Sequence, residues 1–239
     1  MPDWGSVPAY LSQVPFSGEV VLIERPWHLF QQCGKAIIND FVLLTEGRRT
    51  QRLGTQNTVI GDPSLIFLDE GAVVEACILN TTNGPIYIGK NAEVMEGSMI
   101  RGPFALGDGA QVKMGAKIYG PSSIGPECRV GGELSNSVLQ GFSNKGHDGF
   151  LGNSVLGEWC NLGADTNTSN LKNTYGEVQA WSYSENAVVR TGQQFCGLIM
   201  GDHSKSGINT MFNTGTVVGV CANVFGGGFP PKHIPSFSW

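Results

Sequence analysis

Branched aliphatic residues recur every six positions through the middle of the chain. Eight of them keep this spacing without a break: Ile88, Val94, Ile100, Leu106, Val112, Ile118, Ile124 and Val130. A mostly small residue stands two positions before each: Ala92, Ser98, Ala110, Ala116, Ser122 and Cys128, with the larger Ile86 and Phe104. An amphipathic helix needs apolar residues at intervals of three and four, and a simple strand at intervals of two. The six-residue period instead indicates short strands running around a triangular prism.

Three hexads make one coil of 18 residues. Gly89, Gly107 and Gly125 follow the aliphatic residue at that interval, and Gly201 and Gly219 repeat it later. A single coil cannot bury its apolar edge, whereas coils stacked about 4.8 Å apart pair their backbones and bury a column of side chains. The sequence therefore predicts an all-β fold, a left-handed parallel β-helix, over residues 54–228.

Two segments break the rhythm, one near 135–149 and one at 170–196. We expect both to leave the prism as loops, because loops that interrupt a rigid scaffold often carry function. The aromatic and proline-rich end, residues 229–239, is predicted not to continue the coil but to cap its last rung or to fold over a neighbouring subunit.

Residues 1–53 have a different pattern. Apolar residues at helical spacing follow Pro26, namely Leu29 or Phe30, Cys33, Ile37 and Phe41. One amphipathic helix is expected here. Gly34 lies inside it and costs about 1 kcal/mol relative to alanine, so the helix should be stabilised by docking on a neighbour. Residues 18–24 resemble a short strand, and the whole segment is expected to be the tail of a larger upstream domain.

The charge and cysteine content narrow the possible functions. The net charge is −5, and the one dense basic run is Arg48, Arg49 and Arg52, which argues against nucleic-acid binding. No stretch of the sequence is long enough to cross a bilayer, and the first thirty residues do not have the pattern of a targeting segment. A cytoplasmic protein is therefore expected. The six cysteines are scattered singly, which indicates free thiols and no metal site.

The segment Ser143–Gly149 contains one of only four histidines, His147, between Lys145 and Asp148. An imidazole, which ordinarily titrates near neutral pH, can take a proton from an attacking amine or hydroxyl group. His147 is therefore a candidate general base, with a solvated loop residue as the alternative.

The following residues resemble a known enzyme domain. Phe150-Leu151-Gly152-Asn153, Leu156-Gly157, Asn161 to Thr166 and Ser169-Asn170 resemble the acetyltransferase domain of the bifunctional N-acetylglucosamine-1-phosphate uridyltransferase/glucosamine-1-phosphate acetyltransferase. A second resemblance covers nearly the whole chain. Segments 143–173, 196–203 and 235–239 are similar to the C-terminal part of bacterial sugar nucleotidyltransferase-like proteins.

The resemblance implies roles for particular residues. His147 falls on the family's general base, Asn161 and Asn170 on its active-site asparagines, and Gly163-Ala164 on a Gly-Ala turn near the cofactor. The alternative for the two asparagines is a structural role at the corners, because asparagine tolerates left-handed turns. It also implies a homotrimer with sites between subunits, an amino-sugar phosphate as acceptor, and acetyl-CoA or another acyl-CoA as co-substrate.

Further residues are candidates for holding the substrates. Lys145, Lys172 and Arg190 are expected to bind the sugar phosphate, with ordinary surface charges as the alternative. The late coils, with Ser204 and Ser206, are expected to line the groove for the long pantetheine chain of the acyl-CoA.

Three departures from the family pattern support a second hypothesis. Phe150 replaces a tyrosine, Leu171-Lys172 replaces Tyr-Asp, and Asn144 replaces a lysine. The chain could therefore be a non-catalytic module that trimerises and regulates a nucleotidyltransferase, whose own activity would need an upstream domain. A zinc-dependent carbonic-anhydrase-like protein is a third alternative, but the histidine spacing does not match it.

Overall fold

The computed structural model describes residue 12, residues 14–18 and residues 20–239. In this part of the chain an α-helix, α1 (Trp27–Thr45), precedes a long series of short strands. A single 3-10 turn, Pro63–Leu65, lies between the first two strands.

Each strand is two to four residues long. In chain order they are β1 Thr58–Ile60, β2 Ile66–Leu68, β3 Val73–Val74, β4 Ile78–Asn80, β5 Ile86–Ile88, β6 Glu93–Val94, β7 Met99–Arg101, β8 Phe104–Leu106, β9 Gln111–Val112, β10 Lys117–Tyr119, β11 Ser122–Ile124, β12 Arg129–Val130, β13 Glu133–Ser135, β14 Val138–Gly141, β15 Asn144–Lys145, β16 Phe150–Gly152, β17 Val155–Glu158, β18 Asn161–Leu162, β19 Asn167–Thr168, β20 Gln179–Ser182, β21 Ala187–Arg190, β22 Ile199–Met200, β23 Lys205–Ser206, β24 Met211–Phe212, β25 Val217–Val218, β26 Asn223–Val224 and β27 His233–Ile234.

Of these strands, 23 form three parallel sheets, which are the faces of a triangular prism. The first face is β1-β4-β7-β10-β13-β16, the second β2-β5-β8-β11-β14-β17-β22-β25-β27, and the third β3-β6-β9-β12-β15-β18-β23-β26. The chain passes from first to second to third face in every coil, and β19 and β24 form a further parallel pair. The predicted left-handed parallel β-helix with an N-terminal helical segment is confirmed.

The interior of the prism contains the predicted columns. All eight aliphatic residues from Ile88 to Val130 are buried, and so are the residues two positions before them. Strands one coil apart pair in register, as Leu106 does with Ile124. Glycine at the corners permits this close stacking: a Cβ on Gly125 would lie 1.7 Å from the carbonyl oxygen of Gln140.

The segment 135–149 does not leave the prism, so this part of the prediction is wrong. Strands β13, β14 and β15 pair in parallel with the coils before and after them. The coil is shortened instead: Ile124 pairs with Leu139, 15 residues later, where the preceding coil takes 18. The shorter corners reduce the number of residues between inward positions, but the strands still stack and pair as in the other coils.

The segment 170–196 does leave the prism. Strands β20 and β21 form an antiparallel hairpin whose inner residues, Val178 and Ala180, are buried against the second face. A bridge between Leu171 and Phe195 closes the base of this excursion. The regular coil resumes at β22, which pairs directly with β17.

The C-terminal end adds to the prism. Strand β27 pairs in parallel with β25, and the N–H of Asn223 donates to the carbonyl of Ser238 over 2.8 Å. The expectation that residues 229–239 cannot continue the coil is therefore wrong, because their backbone groups extend the ladder of the second face.

Helix α1 docks on the second face, with Trp27, Phe30, Cys33 and Ile37 buried. A Cβ on Gly34 would lie 3.2 Å from Pro121, so glycine here permits close approach of the helix. The described residues between 18 and 24 form no strand. Within the described part of the chain, no helix combines the length and the apolar character needed to cross a bilayer.

Candidate active site

His147 lies at the corner where the chain turns from the third face to the first. This corner, called the His147 corner below, comprises residues 146–149 and, one coil later, residues 163–166. Asn144 is the register partner of Asn161, which places Ala164 beside His147 in the stack. The N–H of Asp165 donates to the carbonyl of Asp148 over 3.1 Å, which joins the two turns. The His147 side chain is exposed, and the structure brings it together with the predicted Gly163-Ala164 turn.

Lys145 does not occupy the surface position predicted for a phosphate-binding residue. Its side chain points into the prism, where it is 2% exposed. The Nζ donates to the carbonyls of Gly131 over 3.0 Å and His147 over 2.5 Å. Burial lowers its pKa to about 8, although the negative charges of Asp148 and Asp165 act in the opposite direction. The shortened coil is the cause, because it places residue 145 in the aliphatic slot.

Asn161 lies on the outer side of the third face, one strand from the His147 corner. Its Oδ1 accepts a hydrogen bond of 2.9 Å from the Nδ2 of Asn144. Lys205 follows in register one coil later. The amide is half-buried and keeps donor groups that are not used in this bond, so it could orient a ligand bound beside His147.

Asn170 lies at a different corner, where the first face turns into the second. Its Nδ2 donates to the Oδ1 of Asn153 over 2.8 Å, and its carbonyl accepts from the N–H of Cys196. His147 precedes β16 (Phe150–Gly152) and Asn153 follows it, so His147 and the Asn153–Asn170 pair lie at opposite ends of one strand of the first face. One chain therefore does not bring Asn170 next to His147.

Lys172 and Arg190 lie in the excursion beyond the Asn170 corner. The Arg190 guanidinium forms an ion pair with Glu177, which compensates its charge. The Nζ of Lys172 donates to the carbonyl of Glu177. Of the two, Lys172 is the better placed for an anion, because no carboxylate is bonded to its ammonium group.

A polar cavity of about 430 Å³ lies beside Asn170, and part of its lining was missed in the sequence. Lys172 and Lys232 both line it, together with Ser169, Asn173, Asn213 and Thr214. Burial, and next to it the positive charge of Lys172, lower the pKa of Lys232. Among the described residues, those that line the cavity include two lysines and no carboxylate, although the nearby Glu177 interacts electrostatically with Lys172. This lining makes the cavity suited to an anion. The two lysines are 60 residues apart in the sequence, so only the strand pairing of β25 and β27 brings Lys232 here.

Ser204 and Ser206 do not present their hydroxyl groups to a groove. The Ser204 Oγ is buried and donates to the carbonyl of Gly219 over 2.6 Å. The Ser206 Oγ is buried 3.0 Å from the Thr166 Oγ1. Both residues occupy inward positions of the repeat, so their predicted contact with a cofactor through the side chain is wrong.

The first face between the two corners carries a smaller cavity of about 300 Å³. Phe150, Asn167, Met211 and Phe229 are among its lining residues. The N–H of Phe150 donates to the Oδ1 of Asn167 over 2.9 Å. The position at which the family has a tyrosine hydroxyl is therefore an apolar ring at the edge of this cavity.

The stacked coils and the hexad columns define the chain as a hexapeptide-repeat β-helix protein. No family model matches the sequence. The chain is similar to the bifunctional sugar-1-phosphate nucleotidylyltransferase/acetyltransferase of Sulfurisphaera tokodaii, with 31% identity over 146 residues, which is 60% of this chain and 36% of that protein. The bifunctional protein GlmU of Methanococcus aeolicus is 32% identical over 87 residues, 36% of this chain and 20% of that protein. The predicted resemblance is thus confirmed, and the chain spans about a third or less of the length of these relatives.

Two solved structures match this chain at low sequence identity and low structural similarity. A hexapeptide transferase family protein from Anaplasma phagocytophilum is 16% identical, with a TM-score of 0.21 and 72% of each chain covered. The polysialic acid O-acetyltransferase OatWY is also 16% identical, with a TM-score of 0.27 and 77% and 78% of the two chains covered.

Proposed function

We propose that this protein is an acyl-CoA-dependent transferase that acylates an amino-sugar phosphate in a cleft between subunits of a homotrimer. The observation that carries the proposal is the exposed His147 beside the Gly163-Ala164 turn, at the edge of a face with a small cavity. The names of the relatives, which include nucleotidyltransferase and acetyltransferase activities, support this class of reaction.

The chemistry needs one proton acceptor. The amine nitrogen of the sugar attacks the thioester carbonyl carbon, a C–N bond forms and the C–S bond breaks. His147 takes the proton that the amine loses and returns it to the departing thiolate, which leaves as free CoA. The backbone of Gly207 in the next coil fills the space beside Gly163, 2.5 Å from a Cβ built there. At the same turn Ala164 carries only a methyl group, so we propose that the narrow pantetheine chain passes beside Ala164.

The phosphate group of the acceptor requires a cationic pocket. Lys172 and Lys232 provide one at the Asn170 corner, and neither is bonded to a carboxylate. A lysine ammonium is a common ligand of phosphate oxygens. Because this pocket is distant from His147 in one chain, we propose that His147 of one subunit acts on a sugar held by Asn170, Lys172 and Lys232 of the next.

The surface of the prism is compatible with such packing. Helix α1 and the β20–β21 hairpin cover the second face, and among the described residues the first face carries no comparable cover. Ile78, Met99 and Tyr119 are exposed along that first face. Exposed apolar side chains such as the register neighbours Ile78 and Met99 favour contact with another protein surface, and a cyclic trimer satisfies such a contact three times.

The test is release of CoA from acetyl-CoA by the full chain, with amino-sugar phosphates as acceptors. We expect acceptor-dependent release and a loss of at least about 100-fold in His147→Ala, because a positioned base contributes roughly that much. His203→Ala is the matched control, since His203 is also exposed but stacks on Trp159 at another corner. Equal activity of His147→Ala and the wild type would overturn the proposed role.

A non-catalytic trimerisation module is the second candidate, favoured by Phe150 and Leu171 where the family has tyrosines. It predicts a trimer that releases no CoA and gives no heat with acetyl-CoA in calorimetry. Both readings predict the same oligomer, so the calorimetric and kinetic measurements distinguish them.

A further inference from the structure

Lys145 takes a place in the core that the repeat otherwise fills with aliphatic side chains. It is the register partner of Val130 one coil earlier, and Leu162 takes the same position one coil later. Both neighbours are buried, as is Lys145. A lysine at this position costs desolvation that a leucine or methionine would not. Stability of the prism alone therefore does not explain the residue.

The hydrogen bonds of Lys145 indicate what it does. Its Nζ donates to the carbonyls of Gly131 and His147, which belong to two successive turns at the same edge of the prism. These turns are rich in glycine, with Gly131, Gly132, Gly146 and Gly149. Glycine leaves a turn with more conformational freedom than any other residue. The neighbouring ladder bonds end on the carbonyls of Lys145, Asp148 and Gly149, and the Lys145 ammonium group holds the carbonyl of His147 from inside the prism.

The charged groups around Lys145 act from the outside of this corner. Asp148 and Asp165 are exposed on the turns, and neither forms an ion pair with the Nζ. Towards the next coils the interior continues with the hydroxyl groups of Thr166 and Ser206, which bond to each other. The two backbone carbonyls are therefore the direct partners of the ammonium group.

We infer that Lys145 is a positioning residue, which holds the backbone of His147 from inside the prism so that the imidazole stands at a fixed place on the corner. This inference rests on the proposed function of His147 as a base. It assigns to Lys145 no contact with either substrate. Because a displacement of about 1 Å at a reacting group can cost on the order of 100-fold in rate, loss of these bonds should lower kcat.

The experiment uses the full-length chain and two core variants. Lys145→Met keeps the volume and removes both hydrogen bonds, whereas Val130→Ala creates a defect in the same column and leaves the bonds of Lys145 in place. We expect Lys145→Met to be at least as stable as the wild type in thermal unfolding, with kcat lowered 10-fold to 100-fold and KM for both substrates within about threefold. Val130→Ala should be less stable and keep its kcat.

A second measurement reads the position of His147 without any reaction. The described chain contains His28, His147, His203 and His233, so the ring signals can be assigned by single substitutions after ¹³C labelling of histidine. In Lys145→Met we expect the His147 signal to show faster, larger ring motion, while that of His203 stays unchanged.

The outcomes separate the two proposals. If His147→Ala keeps full activity, the proposed function fails, and the ring motion still decides whether Lys145 positions His147. If His147→Ala is inactive but Lys145→Met keeps its kcat and the His147 motion of the wild type, the positioning role is wrong. Failure of Lys145→Met and of Lys145→Leu to fold would mean a structural role, and would likewise overturn the inference.

Discussion

The ammonium group of Lys145 lies in the core without a carboxylate bonded to it, and this makes its protonation part of the folding equilibrium. Burial lowers its pKa from the ordinary 10.5 to about 8. In the unfolded chain the lysine keeps its proton up to the ordinary value. Between these two pH values the unfolded chain binds more protons than the folded protein, so the free energy of unfolding rises with pH through this group.

We therefore predict a difference in pH dependence between the wild type and Lys145→Met. From pH 8 to 10.5 the wild type should gain roughly 3 kcal/mol relative to the variant, the linkage equivalent of the change in pKa. Denaturant unfolding at several pH values measures it. Below pH 8 the difference between the two proteins should be constant. A difference that stays constant through the whole range would contradict the buried, partly neutral lysine.

At the level of residues, the sequence predicted the inward columns but not every residue that fills them. The strict period of six identified Ile88 to Val130 because each coil there has corners of equal length. After Val130 the inward residues are Leu134, Leu139, Lys145, Leu151, Leu156 and Leu162, at intervals of four to six. A search that allows shorter corners would have placed Lys145 inside the prism. The hydrogen bond from its Nζ to the carbonyl of His147 depends on the folded structure of the corner, and no sequence pattern predicts it.

Helix α1 is the element whose packing depends most on the prism. Phe30 is 1% exposed and lies in a cluster with Val155, Val178 and Ile199 of the second face and the excursion. The helical spacing and Pro26 predicted this helix. The energetic cost of Gly34 predicted that the helix docks on a neighbour. The hairpin that completes the cluster was expected only as a loop, because antiparallel pairing between β20 and β21 has no strong turn signal in the sequence.

We predict that Phe30→Ala lowers the free energy of unfolding of the docked helix by about 3 to 5 kcal/mol, the usual cost of removing a buried aromatic ring. The control is Leu43→Ala, because Leu43 lies on the same helix and is 73% exposed. It should change stability by less than about 0.5 kcal/mol. Hydrogen exchange of the α1 amides locates the effect, and equal protection of the helix in both variants would refute the docking.

For the whole molecule, the resemblance placed His147, Asn161 and Asn170 in one site, whereas one chain holds His147 and Asn170 at two different corners of the prism. The order of residues along the chain does not reveal this separation, since His147 and Asn170 are only 23 positions apart. Of the cationic pair, the sequence predicted only Lys172. Lys232 was missed because it is far from Lys172 in the sequence, although both side chains line the same cavity. The proposed site, shared between two subunits, would account for the separation of His147 from Asn170 and the two lysines.

Complementation between inactive variants tests this shared site most directly. His147→Ala and the double variant Lys172→Met/Lys232→Met are co-expressed with different tags, and trimers that carry both tags are isolated. If each site takes His147 from one subunit and the two lysines from the next, every mixed trimer contains one intact site out of three. We predict about a third of the wild-type rate of CoA release from two inactive parents. Mixed trimers no more active than either parent would contradict the account.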